Sequence, residues 1–425
     1  MTAPAEAALL LSRGATPTRY VITLAPDLVS CTFTGSVRIS LELTGAACGA
    51  RTLELHSRAL ALFDVTFAPR DEPPLSCEGI AYDLLRHTVT LRFSGALRSG
   101  ELSLRFSGAL NDELAGFYRS RYTLRGETRY MAVTQFEATD ARRCFPCIDE
   151  PAAKATFALT VRAPADRTVV SNMHALRVET SADGRARTHT FAETPRMSSY
   201  LVACCVGEWD TVEGLSPRLR VPTRVFCPPG RSAQGAFALS VALPAIDYLE
   251  ALFGVPYMGS KSDLLAIPDF AAGAMENVGC VTYREAALLI DEQESSFAMR
   301  QRVAQVVCHE LSHQWFGNLV TWVPAAALPP PRPARARARA HLCLPPPLPS
   351  STARTQDEVV GQSVAERGLC LARRVLRAGC ALPAVGHVGR VCRDDAGGGL
   401  CAGRHGEHAP RRGGLRDGGR DQRGL

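Results

Sequence analysis

Two histidines separated by three residues, in His309-Glu310-Leu311-Ser312-His313, carry the plainest chemistry in this sequence. On an α-helix, positions i and i+4 share one face about a turn apart. Two imidazoles so placed can hold one Zn2+, and a glutamate between them can act on water at that metal. The pentapeptide taken alone also fits two surface histidines on an amphipathic helix. Cys144-Phe-Pro-Cys147 has the spacing of a redox dithiol. No βαβ pattern surrounds it, so unreactive thiols are the simpler reading.

Other elements must position the histidines. Phe297 to Gly317 has helical periodicity and closes on a glycine stop signal. Ser232 to Phe253 reads as a second helix, and Asp263 to Gly273 as a strand followed by a glycine turn. Upstream the period is two. Tyr20–Leu24, Ser36–Leu43, His87–Phe93 and Ala155–Arg162 alternate apolar and polar residues between Gly, Pro, Asp and Ser. That pattern predicts a large antiparallel β domain from Tyr20 to about Val206. The hexapeptide RFSGAL occurs at Arg92–Leu97 and again at Arg105–Leu110, which is read as neighbouring strands and not as a repeat architecture.

A chain of 425 residues has room for two or three domains. Its 46% hydrophobic and 21% charged residues are ordinary for a globular protein. The net charge of +6 is nearly all arginine, since only Lys154 and Lys261 are lysines, and this points to codon bias more than to a basic function. By inspection no run reaches the ~18 apolar residues of a membrane span. Ala7–Leu11 is too short, and lacks the basic flank, for a secretory signal. The 15 cysteines then read as reduced thiols in a cytoplasmic protein.

Four stretches together resemble the gluzincin aminopeptidases, in particular the puromycin-sensitive and membrane alanyl aminopeptidase family. They are HELSHQWFGNLVT at His309–Thr321, GAMEN at Gly273–Asn277, VTYREAALLID at Val281–Asp291 and MAVTQFEATDARRCFPCIDEP at Met131–Pro151. The resemblance covers about residues 15 to 321. It implies a multi-domain fold: an N-terminal antiparallel β-sandwich-like domain over 1–207, then a thermolysin-like, mainly α catalytic domain over 208–321. It implies that His309 and His313 ligate zinc and that Glu310 is the general base toward the attacking water. Glu276 would bind a substrate's free α-ammonium, with Gln135 and Glu137 completing that anchor. The backbone of Gly273 and Ala274 would lie along the substrate, and Met275 and Asn277 complete the substrate-binding run. The implied activity is zinc-dependent removal of N-terminal residues from peptides. The implied partners are peptides with a free N-terminus, with no nucleic acid. An epoxide-hydrolysing relative is the less favoured alternative, because TQFEATDARR looks like the pure aminopeptidases.

The resemblance stops abruptly. The family's third zinc ligand is a glutamate nineteen residues after the second histidine, and Arg332 stands there. The family's oxyanion tyrosine also lies further along, whereas the last tyrosine here is Tyr283. Residues 322–356 are Pro/Arg/Ala-rich and low in complexity, and 357–425 are Arg/Gly-rich without a period, so both are expected to be disordered. Codons allowed for Ser363–Val388, read one base forward, give LWLNEGFASRVEYFALDALFPQWDM, which is family-like. An intron from within the Thr321 codon to Gln356 has the length that produces this frame shift. Removing it puts a glutamate nineteen residues after His313, on bases now split between Arg367 and Gly368. The tail is therefore read as a retained intron followed by a frame-shifted exon, ahead of an Arg-rich nucleic-acid-binding tail or a Pro-rich ligand. As written, the chain is expected to be inactive for want of that glutamate and tyrosine. The alternative function is an inert protein that binds N-terminal amines.

Overall fold

In a computed structural model, residues 10–11 and 14–321 are described, and all of them fall in one compact unit. The low-complexity stretch and the frame-shifted exon lie outside the described residues, as does Arg332.

Alternation of side chains builds the first part. Its strands are β1 (Ala15–Asp27), β2 (Thr32–Leu43), β3 (Thr52–His56), β4 (Ala61–Pro69), β5 (Leu75–Asp83), β6 (Thr88–Phe93) and β7 (Gly100–Ala109). There follow β8 (Gly116–Leu124), β9 (Glu127–Gln135), β10 (Thr156–Pro164), β11 (Thr168–Ser171), β12 (Ala175–Thr180), β13 (Ala186–Phe191) and β14 (Cys204–Gly207). Ten of them form one sheet in the order β12-β13-β10-β1-β2-β7-β4-β5-β6-β3. A four-stranded sheet has the order β11-β14-β9-β8. Both sheets turn apolar residues into one core. Phe33 of β2 meets Phe117 of β8 edge to face at 5.2 Å, and Tyr20 stacks on Phe157 at 4.9 Å.

All four period-two segments lie in strands: β1, β2, β6 and β10. The RFSGAL copies differ from expectation. The first begins on β6 and the second on β7, and β4 and β5 stand between those strands in the sheet. Consecutive order along the chain does not make the strands neighbours, because β7 takes β2 and β4 as its partners.

The second part begins at Asp210. Its strands β15 (Asp210–Leu215), β16 (Pro222–Cys227), β17 (Ser262–Ile267), β18 (Ala274–Met275) and β19 (Cys280–Arg284) order as β15-β16-β17-β19-β18. β17 is buried along its whole length and pairs in parallel with β16 and β19. Such a doubly covered strand reads as a continuous apolar run, without alternation. Helices α1 (Ala236–Phe253) and α2 (Phe297–His313) pack on this sheet over a second core. α1 buries Ala238, Val241, Ala242, Ala245 and Leu249; α2 buries Val303, Val307, Cys308 and Leu311. This spacing is a helix stripe turned to the core.

Two expectations need correction. Ser232–Phe253, with a mean hydropathy of 1.5, is long and apolar enough to cross a membrane. Here its stripe is spent on the sheet. Gly317 does not end α2, whose last residue is His313. The glycine lies four residues on, at φ +113°, and donates to the Val320 carbonyl, so it shapes the turn after the helix.

His56 gives the first part a pH dependence. It is 5% exposed, and its Nδ1 accepts the Asp149 amide at 3.0 Å. Burial, reinforced by Arg142 and Arg86, lowers its pKa to about 3. The unfolded chain takes up this proton near pH 6.5 and the folded chain does not, so stability falls as pH drops through that interval. The expected share is up to about 1.4 kcal/mol per pH unit below 6.5. Urea midpoints at pH 7, 5.5 and 4 check it, and His56→Gln is expected to remove that share of the slope.

Candidate functional site

The last two turns of α2 carry the two histidines opposite the stripe that holds the helix down. The Nε2 atoms of His309 and His313 lie 3.1 Å apart, with the rings nearly perpendicular at 85°. His313 is oriented from behind, because its Nδ1 is 2.9 Å from the Phe316 carbonyl. With Nδ1 protonated and donating there, the Nε2 lone pair is left facing His309. Burial, then the proximity of His313 and Arg302, lowers the pKa of His309 to about 4, so its ring is neutral at pH 7. Neutral imidazole is the form that binds metal. Two nitrogens on one tetrahedral zinc stand about 3.4 Å apart. The pair therefore fits a zinc ion with little adjustment.

Three carboxylates converge on this pair from three places in the chain. Glu310 comes from α2, Glu276 from the segment after β18, and Glu137 from the segment after β9. Glu276, Glu310 and His313 each offer a ligand atom within 4.8 Å of the others. Burial, then repulsion from Glu276 and Glu137, pushes the Glu310 carboxyl well above the usual range. Glu137 is exposed at its rim but stands in a recess crowded by protein atoms. That desolvation, followed by Glu276, raises it, while His313 lowers it. Half-buried Tyr200 faces the same two glutamates, and its phenol is raised by burial, Glu276 and Glu137 in that order. The buried hydroxyl of Tyr283, with no hydrogen-bond partner among the described residues, interacts with Glu310. A recess of this kind favours a cation.

The GAMEN run forms the sheet's rim. β18 pairs with β19 on one side only and is the edge of its sheet. Gly273 is exposed and Ala274 half-buried on this edge, whereas Met275 and Asn277 are buried. Asn277 Nδ2 donates to Thr282 Oγ1 at 3.4 Å. The Glu276 carbonyl accepts two side-chain amides that follow the helix, Gln314 Nε2 at 3.0 Å and Asn318 Nδ2 at 2.8 Å. Gln135, the last residue of β9, is 7% exposed, and its Oε1 has no partner among the described residues.

The turn behind Glu276 is clamped to the first part of the chain. Asn172 Nδ2 donates to the carbonyls of Val278 and Leu201, at 2.9 and 2.8 Å, and its Oδ1 accepts the Ala203 amide. Gly279 sits at φ +66°, and a Cβ there would lie 2.3 Å from the Asn172 carbonyl oxygen. Buried Lys261 donates to the carbonyls of Ser171 and Gly279, at 2.7 and 2.8 Å, and pairs with Asp263 at 2.7 Å. Asp263 also accepts two hydrogen bonds from Arg224. The loop before β18 is held too. Tyr118 Oη donates to the Asp269 carbonyl, and the Arg121 amide donates to its carboxylate.

Gln314, Asn318, Asn172, Lys261, Tyr200 and Tyr283 escaped the sequence reading. Gln314 and Asn318 were visible, four apart, inside the quoted HELSHQWFGNLVT run. Lys261 was marked only as one of two lysines in an arginine-rich chain. Asn172 and Tyr200 carried no local signal. Cys144 and Cys147 are buried, with both thiols raised well above their ordinary pKa by burial, which suits inert packing.

Asn172→Ala is expected to leave two carbonyls and one amide unpaired in the interior. The expected cost is about 3 kcal/mol, at roughly 1 kcal/mol or more per orphaned group. Urea denaturation measures it, and a loss under ~0.5 kcal/mol contradicts the clamp.

Residues 16–201 match the Peptidase M1 N-terminal domain, and residues 237–324 match the Peptidase family M1 domain. Aminopeptidase M1 of Arabidopsis thaliana is 47% identical over 319 residues, 73% of this chain and 35% of that protein. The alanine/arginine aminopeptidase of Saccharomyces cerevisiae is 42% identical over 319 residues, 73% of this chain and 36% of its own. The puromycin-sensitive aminopeptidase of Caenorhabditis elegans is 40% identical over 310 residues, covering 72% and 32%. The chain thus spans about a third of the length of these relatives. The two domain matches cover most of the described residues and join the β-rich part to the helix that carries His309 and His313; the chain belongs to the peptidase M1 family.

Proposed function

We propose that this site belongs to a zinc metallo-aminopeptidase that removes N-terminal residues from peptides. The observation that carries the reading is the His309–His313 nitrogen pair at 3.1 Å beside the carboxylates of Glu276 and Glu137. His309 and His313 hold the metal. Zinc there supplies Lewis-acid chemistry, polarising a carbonyl and making water acidic near neutral pH. Glu310 takes the proton from the attacking water, a role suited to a carboxylate whose proton affinity burial and the neighbouring Glu276 and Glu137 raise. Glu276, Glu137 and Gln135 accept the substrate's α-ammonium. The open edge at Gly273 and Ala274 pairs with the peptide backbone. The fixed distance from the ammonium anchor to the histidines places the first peptide bond at the metal, which makes the reaction exopeptidic.

The first part, 1–207, is on this reading a β-sandwich-like domain, and 208–321 part of a thermolysin-like catalytic domain. The third zinc-ligand glutamate and the oxyanion tyrosine belong to the correctly spliced product, with 322–356 a retained intron and 357–425 a shifted exon. The printed chain is then inactive, and the cytoplasm is its expected compartment. Arg332 at the ligand's place favours the second reading, an inert binder of N-terminal amines.

Release of a fluorophore from an aminoacyl amide by two proteins tests this. The 425-residue chain is expected to give negligible turnover, and a version with 322–356 excised and the frame restored is expected to be active. In the restored form Glu276→Gln is expected to lower kcat/KM at least a hundredfold, about 2.7 kcal/mol. Equal cleavage of N-acetylated substrate, or no effect of Glu276→Gln, overturns the amine anchor. Zinc-dependent turnover by the 425-residue chain overturns the inactivity.

A further inference from the structure

We propose that a cavity in the first part of the chain, between the ends of β3 and β6 and the segment from Thr139 to Pro151, binds a small organic carboxylate with an apolar body, held by His56, Arg142 and Arg86. The cavity measures about 300 Å³. Leu10 and Pro151 give it an apolar wall, and His56, Thr88, Arg86 and Arg142 a polar one. A largely apolar hollow with a few placed polar groups is the usual build of a small-molecule site. His56 ends β3 and Thr88 begins β6, and the two are paired across the strands, so their side chains leave the sheet on one face. They are 5% and 3% exposed, and Arg142, in the short turn Ala141–Arg143, is 8% exposed. The polar side of the cavity is thus built of buried groups, with Arg86 at its more open edge.

Hydrogen-bonding capacity decides what fits. His56 Nδ1 accepts the Asp149 amide at 3.0 Å, so the proton of the neutral ring sits on Nε2, which has no partner among the described residues. Arg142 uses Nε on the Asp149 carboxylate at 3.0 Å and Nη2 on the Asp149 carbonyl at 3.2 Å, which leaves Nη1 over. The acids of the wall are already engaged. Asp149 Oδ1 accepts from Ser199 Oγ at 2.8 Å, its Oδ2 accepts from Arg142, and Glu150 accepts the Leu11 amide. The wall therefore has donors to spare and its acceptors in use. The donors also converge, since Arg142 and Arg86 stand close enough to His56 to help keep its ring neutral. A negatively charged acceptor satisfies them, through hydrogen bonds that charge strengthens. A monoanion suits the place better than a phosphate dianion, which Asp149 and Glu150 would oppose. Thr139, also in the wall, follows Glu137 by two residues and Arg142 follows it by five, so an occupant touches the segment that carries Glu137.

The test titrates 4-methylpentanoate into the metal-free 425-residue chain at pH 7 and follows the ligand by saturation-transfer NMR. A dissociation constant of about 1 mM or below is expected. The neutral isostere 4-methylpentanamide is expected to bind at least about tenfold more weakly, because it forfeits the charge assistance. Arg86→Glu reverses a charge at the open edge, where the fold does not depend on it, and is expected to abolish carboxylate binding. No binding up to about 20 mM overturns the proposal, as does an amide that binds as well as the acid. Binding that survives in Arg86→Glu places the carboxylate elsewhere and overturns it too. The amide comparison needs no variant, so it decides even where Arg86→Glu fails to fold. Neither metal nor amine enters the measurement, and the recess of Glu137, Glu276 and Glu310 repels a carboxylate, so the result is independent of the aminopeptidase reading.

Discussion

Like charges forced together in a poorly hydrated recess set the terms for everything around them. Glu137, Glu276 and Glu310 repel one another beside two imidazoles, and burial adds to the repulsion. Left mobile, such groups relax toward water. Their positions persist because each is mounted on a stiff element and each mount is tied to the next. α2 is held by a full apolar stripe, and the Glu276 backbone is held by two amides that follow it. Desolvation then works in favour of function, since a cation entering the recess relieves what burial and repulsion impose.

The ties cross between the two parts of the chain. Glu137 and Glu276 sit on opposite sides of that boundary, one after β9 and one after β18. A shift of the first part against the second would change their separation directly. Lys261 and Asn172 meet this need with buried hydrogen bonds that have direction and a defined length, which apolar contact lacks. Lys261 has two carbonyls and one carboxylate for its three protons, so its burial leaves no donor orphaned. Gly279 completes the clamp, because any side chain there would collide with the backbone at Asn172.

The edge position of β18 is a compromise of a different kind. Unpaired edges invite unwanted pairing, and proteins usually shorten or cover them. Here the edge is two residues long, which limits the hazard and still leaves one side of the strand unpaired among the described residues. Its register with β19 sets the direction in which Glu276 leaves the strand. Strand pairing and the amide contacts from the turn after α2 thus fix one residue from both sides.

Much of the site was legible because its information is local. Helical spacing puts His309 and His313 on one face whatever surrounds them, and alternation places β1, β2, β6 and β10 whatever they pair with. Family resemblance added Gln135, Glu137 and Glu276; that Glu137 and Glu276 meet no spacing reveals, since they lie far apart along the chain. Helix length and strand adjacency were misjudged for the same reason: Gly317 marks a turn but not its start, and RFSGAL marks strands but not their partners. Sequence by itself determined which residues could ligate a metal and which segments would be strand or helix, because those follow from the periodicity of the backbone. Only the tertiary structure decided that Asn172 and Lys261 hold Glu276 in place and that three carboxylates share one recess. Long-range hydrogen bonds and mutual desolvation arise only once distant segments are packed together.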